Sequence, residues 1–278
     1  MTEPVPPGLT RAGFAGTLTP AQVAEVLNEL IEGAAFAGSL TRAPTSTGTL
    51  SFPVVGPTGF SWLQELEEVP QVVLNDRAVI VTVAKIIGAL PISSEMRSDA
   101  SVNITNWVSG ALRDSLSRDL DLGVLRGSGA PQPDGVIGQA SAVPGPNLID
   151  AVGAGIAAIG EAGGEADTIA LSPTEYAAEL TSRDAEGRLM HPNGLPDLLG
   201  LRIVQVADLD QPLLYDARRC FLVLGQDSSV SLHDDWQHDA VQVLVKARAN
   251  VGVPVAAKSI RKLEIAAAPR ARPAGKAA

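Results

Sequence analysis

The sequence contains a single cysteine, Cys220, so no disulfide can form within the chain. Its flanks, ARR and FLVLG, predict a strand residue in a reducing compartment rather than a catalytic nucleophile. Aromatic residues make up only 4% of the chain, which leaves few rings on which unpaired bases could stack. No apolar run approaches the roughly 20 residues that a membrane-spanning helix needs, so no membrane partner is expected.

Positive charge is also scarce. The chain carries 21 Lys and Arg against 31 Asp and Glu, a formal net charge of −10, which opposes tight binding to a phosphate backbone. A dedicated nucleic-acid-binding protein is therefore not expected. The opening residues MTEPVPPGLT have no charged and apolar leader, so export is not expected either. The length of 278 residues suits one or two globular domains.

The N-terminal part predicts an arm followed by a helix. Residues 1–18 are rich in Pro and Gly and show no periodicity, which is typical of a segment that stays mobile or is ordered by a partner. Thr19, Pro20 and Gln22 then form a capping box, and apolar residues recur on one helical face up to Ile31. That face needs a partner surface.

Residues 45–70 predict a projecting hairpin, called the flap below. Two short strand-like runs flank Gly56, Pro57 and Gly59, and Pro53 suits an edge strand. The following segment QVVLNDRAVIVTVAKIIGALPIS has β-branched residues in alternation and predicts strands of a body domain.

The longest helical pattern begins after Ser98 and ends in the glycine-rich sequence GVLRGSGAPQPDG, called the glycine loop below. Gly127 and Gly129 suit conformations that residues with a Cβ resist. A phosphate-binding loop follows a strand and opens a helix, whereas this loop follows a helix. Its two prolines also remove N–H donors. A structural turn or a contact loop is the better interpretation.

The second half of the chain predicts an α+β module. NLIDAVGAGIAAIGEAGG is an Asn-capped amphipathic helix, and Ser172, Pro173 and Glu175 form another capping box for a helix to about Thr181. Strands follow in LRIVQV and CFLVLG, and the segment DAVQVLVKARANVGVPVAAKSIRKLEI, with Val241, Val243 and Val245 in strand period, is expected to return to the body domain's sheet. The tail AAAPRARPAGKAA is expected to be mobile.

Two acidic clusters are candidates for chemical sites. HDDWQHD contains His233 and His238, but five residues apart they do not share a helical face, and a solvated connection between strands is the default. Acid–base chemistry needs burial, while the second cluster alternates with exposed-looking residues and predicts a polar rim: Glu65, Glu67, Glu68, Glu95 and Asp99. No common nucleophile or zinc motif occurs. We expect no catalytic residue, no cofactor and no bound metal.

The order of these pieces resembles the major capsid protein of tailed bacteriophages, with the Hong Kong 97-type α+β fold. WLQELEEVP, ALPISSEMRSDA, DLGVLRGSGAPQPDGVIG and LSPTEYAAELTSRDAEGRLMHPNGLPDLLGLRIVQV carry the resemblance. The resemblance implies an N-terminal arm and helix (1–44), an extended hairpin loop (45–70), a peripheral domain with a spine helix (71–138), an axial domain (139–240), a return to the peripheral domain (241–268) and a flexible tail (269–278).

The resemblance also implies a function. The chain would self-assemble into pentamers and hexamers of an icosahedral shell that encloses double-stranded DNA without sequence-specific contacts, assembled in the host cytoplasm. Expected partners are a separate scaffolding protein, a portal and a decoration protein. Candidate subunit contacts are Trp62, Glu65, Arg126, Gly127, Gly129 and Gly135. An encapsulin-type compartment shell and a soluble α+β enzyme are the alternatives.

One feature departs from the founding member of that family. There, a lysine on the extended loop forms a covalent bond to a neighbouring asparagine, whereas residues 45–70 contain no lysine. We therefore expect a shell without that cross-link.

Overall fold

The computed structural model describes residues 33–54, 62–65, 68, 77–93, 104–183, 186–191, 194–225, 229–235 and 239–265. The expected arm, the helix from Thr19, the flap tip and the tail lie outside these residues. Within the described ranges, no helix combines the length and the apolar character needed to cross a membrane. The chain divides into two compact units, Met1–Gly135 with Phe221–Gly252, and Val136–Cys220 with Val253–Ala278.

The elements alternate along both units. The strands are β1 (Thr41–Thr45), β2 (Thr49–Val54), β3 (Arg77–Thr82), β4 (Ala84–Ser93), β5 (Ser141–Gly145), β6 (Thr168–Leu171), β7 (Asp197–Leu198), β8 (Leu201–Gln205), β9 (Leu213–Tyr215), β10 (Phe221–Gly225), β11 (Ser229–Asp235), β12 (Ala240–Gly252) and β13 (Ile260–Ile265). The helices are α1 (Ile104–Arg126), α2 (Val136–Gln139), α3 (Leu148–Glu161), α4 (Pro173–Leu180) and α5 (Ala256–Ser259), and a 3-10 turn spans Ala37–Ser39.

The first unit is built on a five-stranded sheet with the order β1-β10-β12-β11, in which β4 also pairs with β12. β1 runs parallel to β10, and the other pairs are antiparallel. Only part of the closing segment returns to this sheet as expected: β12 pairs with β4 from Ala240↔Ser93 to Ala249↔Ala84, whereas β13 at the end of that segment joins the other sheet. β12 is thus the central strand, which pairs with β10, β11 and β4.

The flap root is a two-stranded antiparallel ribbon of β2 and β3. Leu50 pairs with Val81 and Phe52 with Val79, so that the larger apolar residues share one face. The run after Gly59, which the sequence predicts to return beside β2, is not the partner of β2: β3 is. Val79 and Val81 lie in β3, within the first unit, as the expected strands of a body domain. Alternation with period two identifies a strand and its faces, but it does not name the partner strand.

Helix α1 is the predicted long helix, described from Ile104 onward. Leu116, Leu120 and Val124 are buried on one face, as the 3.6-residue pattern predicts. That face is not purely apolar, because Ser117 and Asp121 are buried on it as well. Asp121 therefore needs hydrogen-bond partners in the interior of the unit.

The second unit has a six-stranded sheet with the order β5-β13-β9-β6-β8-β7. Helix α3 begins at the predicted Asn cap, where the Asn147 side chain accepts from the Asp150 N–H at 2.8 Å. Helix α4 begins at the predicted capping box of Ser172 and Glu175. The buried core lies between the sheet and these helices: Ala151, Val152, Ile159, Ile169, Leu171, Leu195, Leu198, Leu201, Leu214 and Leu263.

The boundaries between the units differ from those expected. The contacts divide the chain after Gly135, Cys220 and Gly252, whereas the sequence predicts one domain over 139–240 and a return of 241–268 to the other. β10 and β11 belong to the first unit because they pair with β12. β13 belongs to the second because it pairs with β5 and β9. The assignment of the two units as peripheral and axial domains stays a prediction.

Candidate subunit-contact site

Within the flap, residues 62–65 and 68 expose their side chains to solvent. Trp62 is fully exposed, and Leu63, Glu65 and Glu68 are exposed as well. A tryptophan that buries no area within its own chain is costly to hydrate, and Trp is among the residues that most often anchor protein interfaces. The structure therefore leaves Trp62 available for a contact outside the chain.

The flap root is anchored on the sheet of the first unit. The rings of Phe52 on β2 and Phe221 on β10 stack with their centroids 4.9 Å apart. Gly252, opposite Phe221 in the sheet, makes room for this contact, since a Cβ there would lie 2.8 Å from Phe52 Cε2. The flap thus leaves the sheet from a packed base, and the pairing of Phe52 with Phe221 had no sequence signal.

The glycine loop is closed by hydrogen bonds within itself. The N–H of Gly129 donates to the carbonyl of Pro133 at 3.2 Å, and the N–H of Gly135 donates to the carbonyl of Gly127 at 2.8 Å. The N–H of Gln132 donates to the carbonyl of Gly129 at 3.0 Å. These N–H groups donate to carbonyls of the loop itself, so the geometry, like the sequence, opposes a phosphate-binding interpretation.

The glycines of this loop are required for two different reasons. Gly129 has φ of 88°, a conformation that residues with a Cβ rarely adopt. Gly127 has no such angle, and here the expectation from the sequence is corrected: a Cβ at Gly127 would run into the Pro133 carbonyl oxygen. At Gly135 a Cβ would lie 2.7 Å from the Gly127 nitrogen. Close backbone approach, more than backbone angle, selects glycine in this loop.

Substituting Gly127 tests this geometry. We expect Gly127→Ala to lower the free energy of unfolding by about 2–4 kcal/mol, because the added Cβ forces the loop open. Gly138→Ala is the matched control, since its Cβ would meet no atom within 4 Å. Urea unfolding of the unassembled chain measures both variants. Equal stability of the two would contradict the packed-loop geometry.

Asn250 on β12 joins the loop, the flap root and the sheet. Its Oδ1 accepts from the Asp134 N–H at 3.0 Å and from the Val251 N–H at 2.7 Å. Its Nδ2 donates to the Thr82 carbonyl at 2.6 Å, at the end of β3. The side chain is buried, with 3% of its surface exposed. No local sequence pattern indicates this residue, because its partners Asp134 and Thr82 lie 116 and 168 positions away.

A groove of about 500 Å³ lies beside α1, between the glycine loop and the start of β4. Of the predicted contact residues, Arg126 and Gly127 line it, whereas Gly129 and Gly135 lie in the same loop but are not among its lining residues. Its other lining residues are mostly apolar: Ala84, Lys85, Ile86, Asp119, Leu120, Leu122, Gly123, Pro131, Gln132, Pro133 and Ala249. Trp62 and Glu65 lie on the separate flap segment.

Asp121 holds the chain segment that leads into β1. Its two carboxylate oxygens accept from the N–H groups of Phe36 at 3.2 Å and Ala37 at 2.8 Å. Burial raises the pKa of Asp121 above its ordinary value of 3.8, opposed by hydrogen bonds from Ala37, Phe36 and Ala35. The sequence carries one signal for this residue, an acid in register with the apolar face of α1.

The remaining chemical candidates do not form sites in the described residues. Cys220 is buried in the turn before β10 rather than within the strand, and burial, followed by the negative charges of Asp216 and Asp167, raises the pKa of its thiol to about 12. His233 is exposed in β11, while His238, Glu67, Glu95 and Asp99 lie outside the described residues. Among the described residues, no group of three His, Cys, Asp or Glu could hold a metal ion.

A family model described as the phage capsid family matches residues 15–265, nearly the whole chain. The chain belongs to the phage capsid family. It is a structural capsid protein of a tailed phage or phage-like particle, as the sequence predicted. No curated protein matches the sequence.

Solved capsid structures share this fold at low identity. A chain from the capsid of a native GTA particle computed with C5 symmetry is 15% identical, with a TM-score of 0.71 over 84% of this chain and 91% of that one. A Mycobacterium phage Adephagia chain is 17% identical, with a TM-score of 0.72 over 85% and 91%. A Microbacterium phage Oxtober96 chain is 14% identical, with a TM-score of 0.70 over 96% of both chains. The predicted Hong Kong 97-type fold is confirmed.

Proposed function

We propose that this capsid protein is the major shell subunit, whose copies form pentamers and hexamers that close into an icosahedral head around double-stranded DNA. The observation that carries the proposal is the family match over residues 15–265. The fully exposed Trp62, on a flap whose root is packed against the sheet, supports it, because a monomer leaves that ring in water. Heterologous contacts between identical chains close into rings, and rings of two sizes can close a shell.

The proposed subunit contacts lie on the flap segment and at the glycine loop. Trp62 and Glu65 would reach a neighbouring copy, since both are exposed. Arg126 is exposed beside the groove that it lines. The loop glycines act by giving that contact surface one fixed shape: Gly127, Gly129 and Gly135.

The proposal includes partners that follow from a shell. Packaged DNA would be enclosed without sequence-specific contacts, which the net charge of −10 permits. A separate scaffolding protein, a portal and a decoration protein are the other expected partners. The shell would be assembled in the host cytoplasm and end in the virion.

Particle formation tests this function. The purified chain is analysed by light scattering after size exclusion, with electron micrographs of material at the void volume. Pentamers, hexamers or closed shells are expected. A monodisperse monomer or dimer that persists at high concentration with scaffolding protein added would overturn the proposal.

Trp62→Ala is the informative variant in the same assay. Loss of a central aromatic anchor costs about 2 kcal/mol or more per contact, so the yield of assembled particles should fall at least about tenfold. Met190→Ala, at an exposed methionine of the second unit, serves as the control and should assemble as the wild type does. Equal yields of assembled particles from both variants would show that Trp62 does not contribute to the interface.

A further inference from the structure

The outward face of helix α3 is apolar. The helix carries two charged residues, Asp150 in its first turn and Glu161 at its last position. Between them the exposed positions hold only isoleucine, glycine and alanine: Gly153, Ala154, Ile156, Ala157 and Gly160. The inward face is apolar too, and it is buried in the core of the second unit. A helix that is apolar all round is normally covered all round, whereas α3 leaves one face in water.

Four exposed residues of α3 form a stripe in which large and small side chains alternate. They follow one another at intervals of four, three and four residues: Ile149, Gly153, Ile156 and Gly160. At 100° per residue they lie within about 60° of one another around the helix axis. This spacing is that of the contact positions of paired helices. Both isoleucines keep 36% of their surface exposed. We call these four residues the α3 stripe.

The two glycines of the α3 stripe are not explained by the fold of their own chain. Gly155, in the same helix, is required by the core, because a Cβ there would lie 2.8 Å from Leu214 Cδ2. At Gly153 and Gly160 a Cβ would meet no atom of the described chain within 4 Å, and neither residue has a positive φ. A glycine inside a helix lowers its stability relative to alanine. The stripe therefore keeps two gaps, and the close approach of another molecule would explain them.

The α3 stripe is complementary to itself. When a second copy of the helix is turned through 180° into an antiparallel pair, Ile149 faces Gly160 of the second copy. In the same pair Gly153 faces Ile156 of the second copy. Each contact occurs twice about the two-fold axis, so every isoleucine fills a gap in the other helix. Small residues at the contact also let the two helix axes approach closely.

The ends of the helix favour the antiparallel arrangement. It places the partly positive N-terminal end of each helix beside the partly negative C-terminal end of the other. Asp150 is exposed at the first end, and Lys258 of α5 lies at the second, where a Cβ at Gly163 would be 3.8 Å from its Nζ. Asp150 of one copy would therefore approach Lys258 of the other. Glu161 shares that end and offsets part of the attraction, so the apolar stripe supplies most of the contact.

We propose that α3 of one copy packs antiparallel against α3 of a second copy, so that unassembled chains form two-fold dimers through the α3 stripe. The inference goes beyond the proposed function, because ring contacts are heterologous, whereas this contact is isologous and adds no third copy. A helix of 14 residues gives a small interface. The dissociation constant should therefore lie between about 10 µM and 1 mM, and sedimentation equilibrium of the unassembled chain over that range should show monomer and dimer.

Filling the gaps separates pairing from folding. Gly153→Ala/Gly160→Ala should raise the Tm of the unassembled chain by about 2–6 °C, because alanine favours the helix and the described chain leaves room for both Cβ atoms. The same variant should weaken the dimer at least about tenfold, because the added Cβ atoms occupy the space that the isoleucines of the second copy would fill. Gly138→Ala, at an exposed helical glycine outside the stripe, is the control and should leave the dissociation constant unchanged. Unchanged pairing in the double variant would overturn the proposal.

Cross-linking tests the two-fold arrangement. Ile149→Cys/Gly160→Cys places two thiols about 16 Å apart along one helix, too far for a bond within the chain, whereas in the pair each faces a thiol of the second copy. The native Cys220 is buried. Mild oxidation of the unassembled fraction should give one covalent product of two chains on a denaturing gel without reductant. A ladder of larger products would indicate a head-to-tail contact, and the absence of any product would show that α3 does not face itself. Either result overturns the proposal.

The outcomes for this inference and for the proposed function are distinct. A wild-type chain that stays monomeric up to about 1 mM but closes into shells with scaffolding protein overturns only the α3 pairing. A chain that gives the covalent dimer but no shell under the same conditions supports the pairing and overturns the proposed function.

Discussion

Replacing Asp121 with alanine is expected to lower the free energy of unfolding by about 2–4 kcal/mol. The carboxylate accepts two backbone N–H groups, from Phe36 and Ala37, and both would be left buried without this partner. A buried donor without an acceptor costs about 1–3 kcal/mol, and relief of the burial of Asp121 itself offsets part of the sum. Urea unfolding of the unassembled chain at neutral pH measures the change.

Two matched variants separate this effect from a general change in α1. Asp119→Ala removes an exposed acid from the same helix and should change stability by less than about 0.5 kcal/mol. Asp121→Asn keeps one acceptor oxygen but turns an N–H donor toward one of the two backbone donors. Its loss of stability should therefore lie between those of Asp121→Ala and Asp119→Ala. If Asp121→Ala were as stable as Asp119→Ala, Asp121 would not hold the segment before β1.

The pH dependence has a sign opposite to that of a salt-bridged acid. Burial raises the pKa of Asp121 above 3.8, so the folded chain binds this proton more tightly than the unfolded chain does. The contribution of this group to stability therefore increases as pH falls through its folded pKa, and it is fully present below 3.8. The stability of the wild type relative to Asp121→Asn should rise between neutral pH and that limit. A fall over the same range would contradict burial as the dominant influence on this carboxyl group.

Asn250→Ala should be the other strongly destabilising substitution, with a loss of about 2–4 kcal/mol. It removes the acceptor for Asp134 and Val251 and the donor to Thr82 at once. Because these bonds join the glycine loop and the flap root to β12, both segments should become open together. Limited proteolysis of the folded variant should then cut near residues 77–83 and 127–135 faster than in the wild type.

The partners of Asn250 supply the controls. Thr82→Ala removes an exposed side chain but keeps the backbone carbonyl that accepts from Asn250, so it should cost less than about 1 kcal/mol. Asn250→Asp keeps the acceptor oxygen but sets a second oxygen against the Thr82 carbonyl, so it should be destabilising. Stability of Asn250→Ala equal to that of Thr82→Ala would show that the loop and the flap root are held by other contacts.

Local signals predicted the elements whose causes are local. The Asn147 cap and the Ser172–Glu175 capping box lie within three or four residues of the groups that they satisfy, and both were predicted correctly. The long amphipathic helix and the strand of Val241 to Val245 followed from periodicity. The order of these elements was enough to indicate the family, although no single motif was specific.

Strand partners could not be predicted from the sequence. The pairing of β2 with β3 and of β10 with β12 joins residues with no pattern that identifies one another. The observed strand partners and unit boundaries differ from the predicted ones because both depend on which strands pair. At the candidate site, the glycines of the loop were predicted, but the reason for Gly127 was not, because it depends on the carbonyl of Pro133 folding back against the helix end.

The sequence by itself determined the class of the protein: an acidic α+β chain with a flap, a long helix, a glycine loop and no catalytic motif. Those properties depend on composition and on interactions between near neighbours. Only the tertiary structure decided which side chains hold these parts together. Asp121 binds the backbone of Ala37, 84 residues away, and Asn250 binds the backbone of Thr82, 168 residues away. A contact at such a separation exists only once the intervening chain has folded, so no local pattern records it.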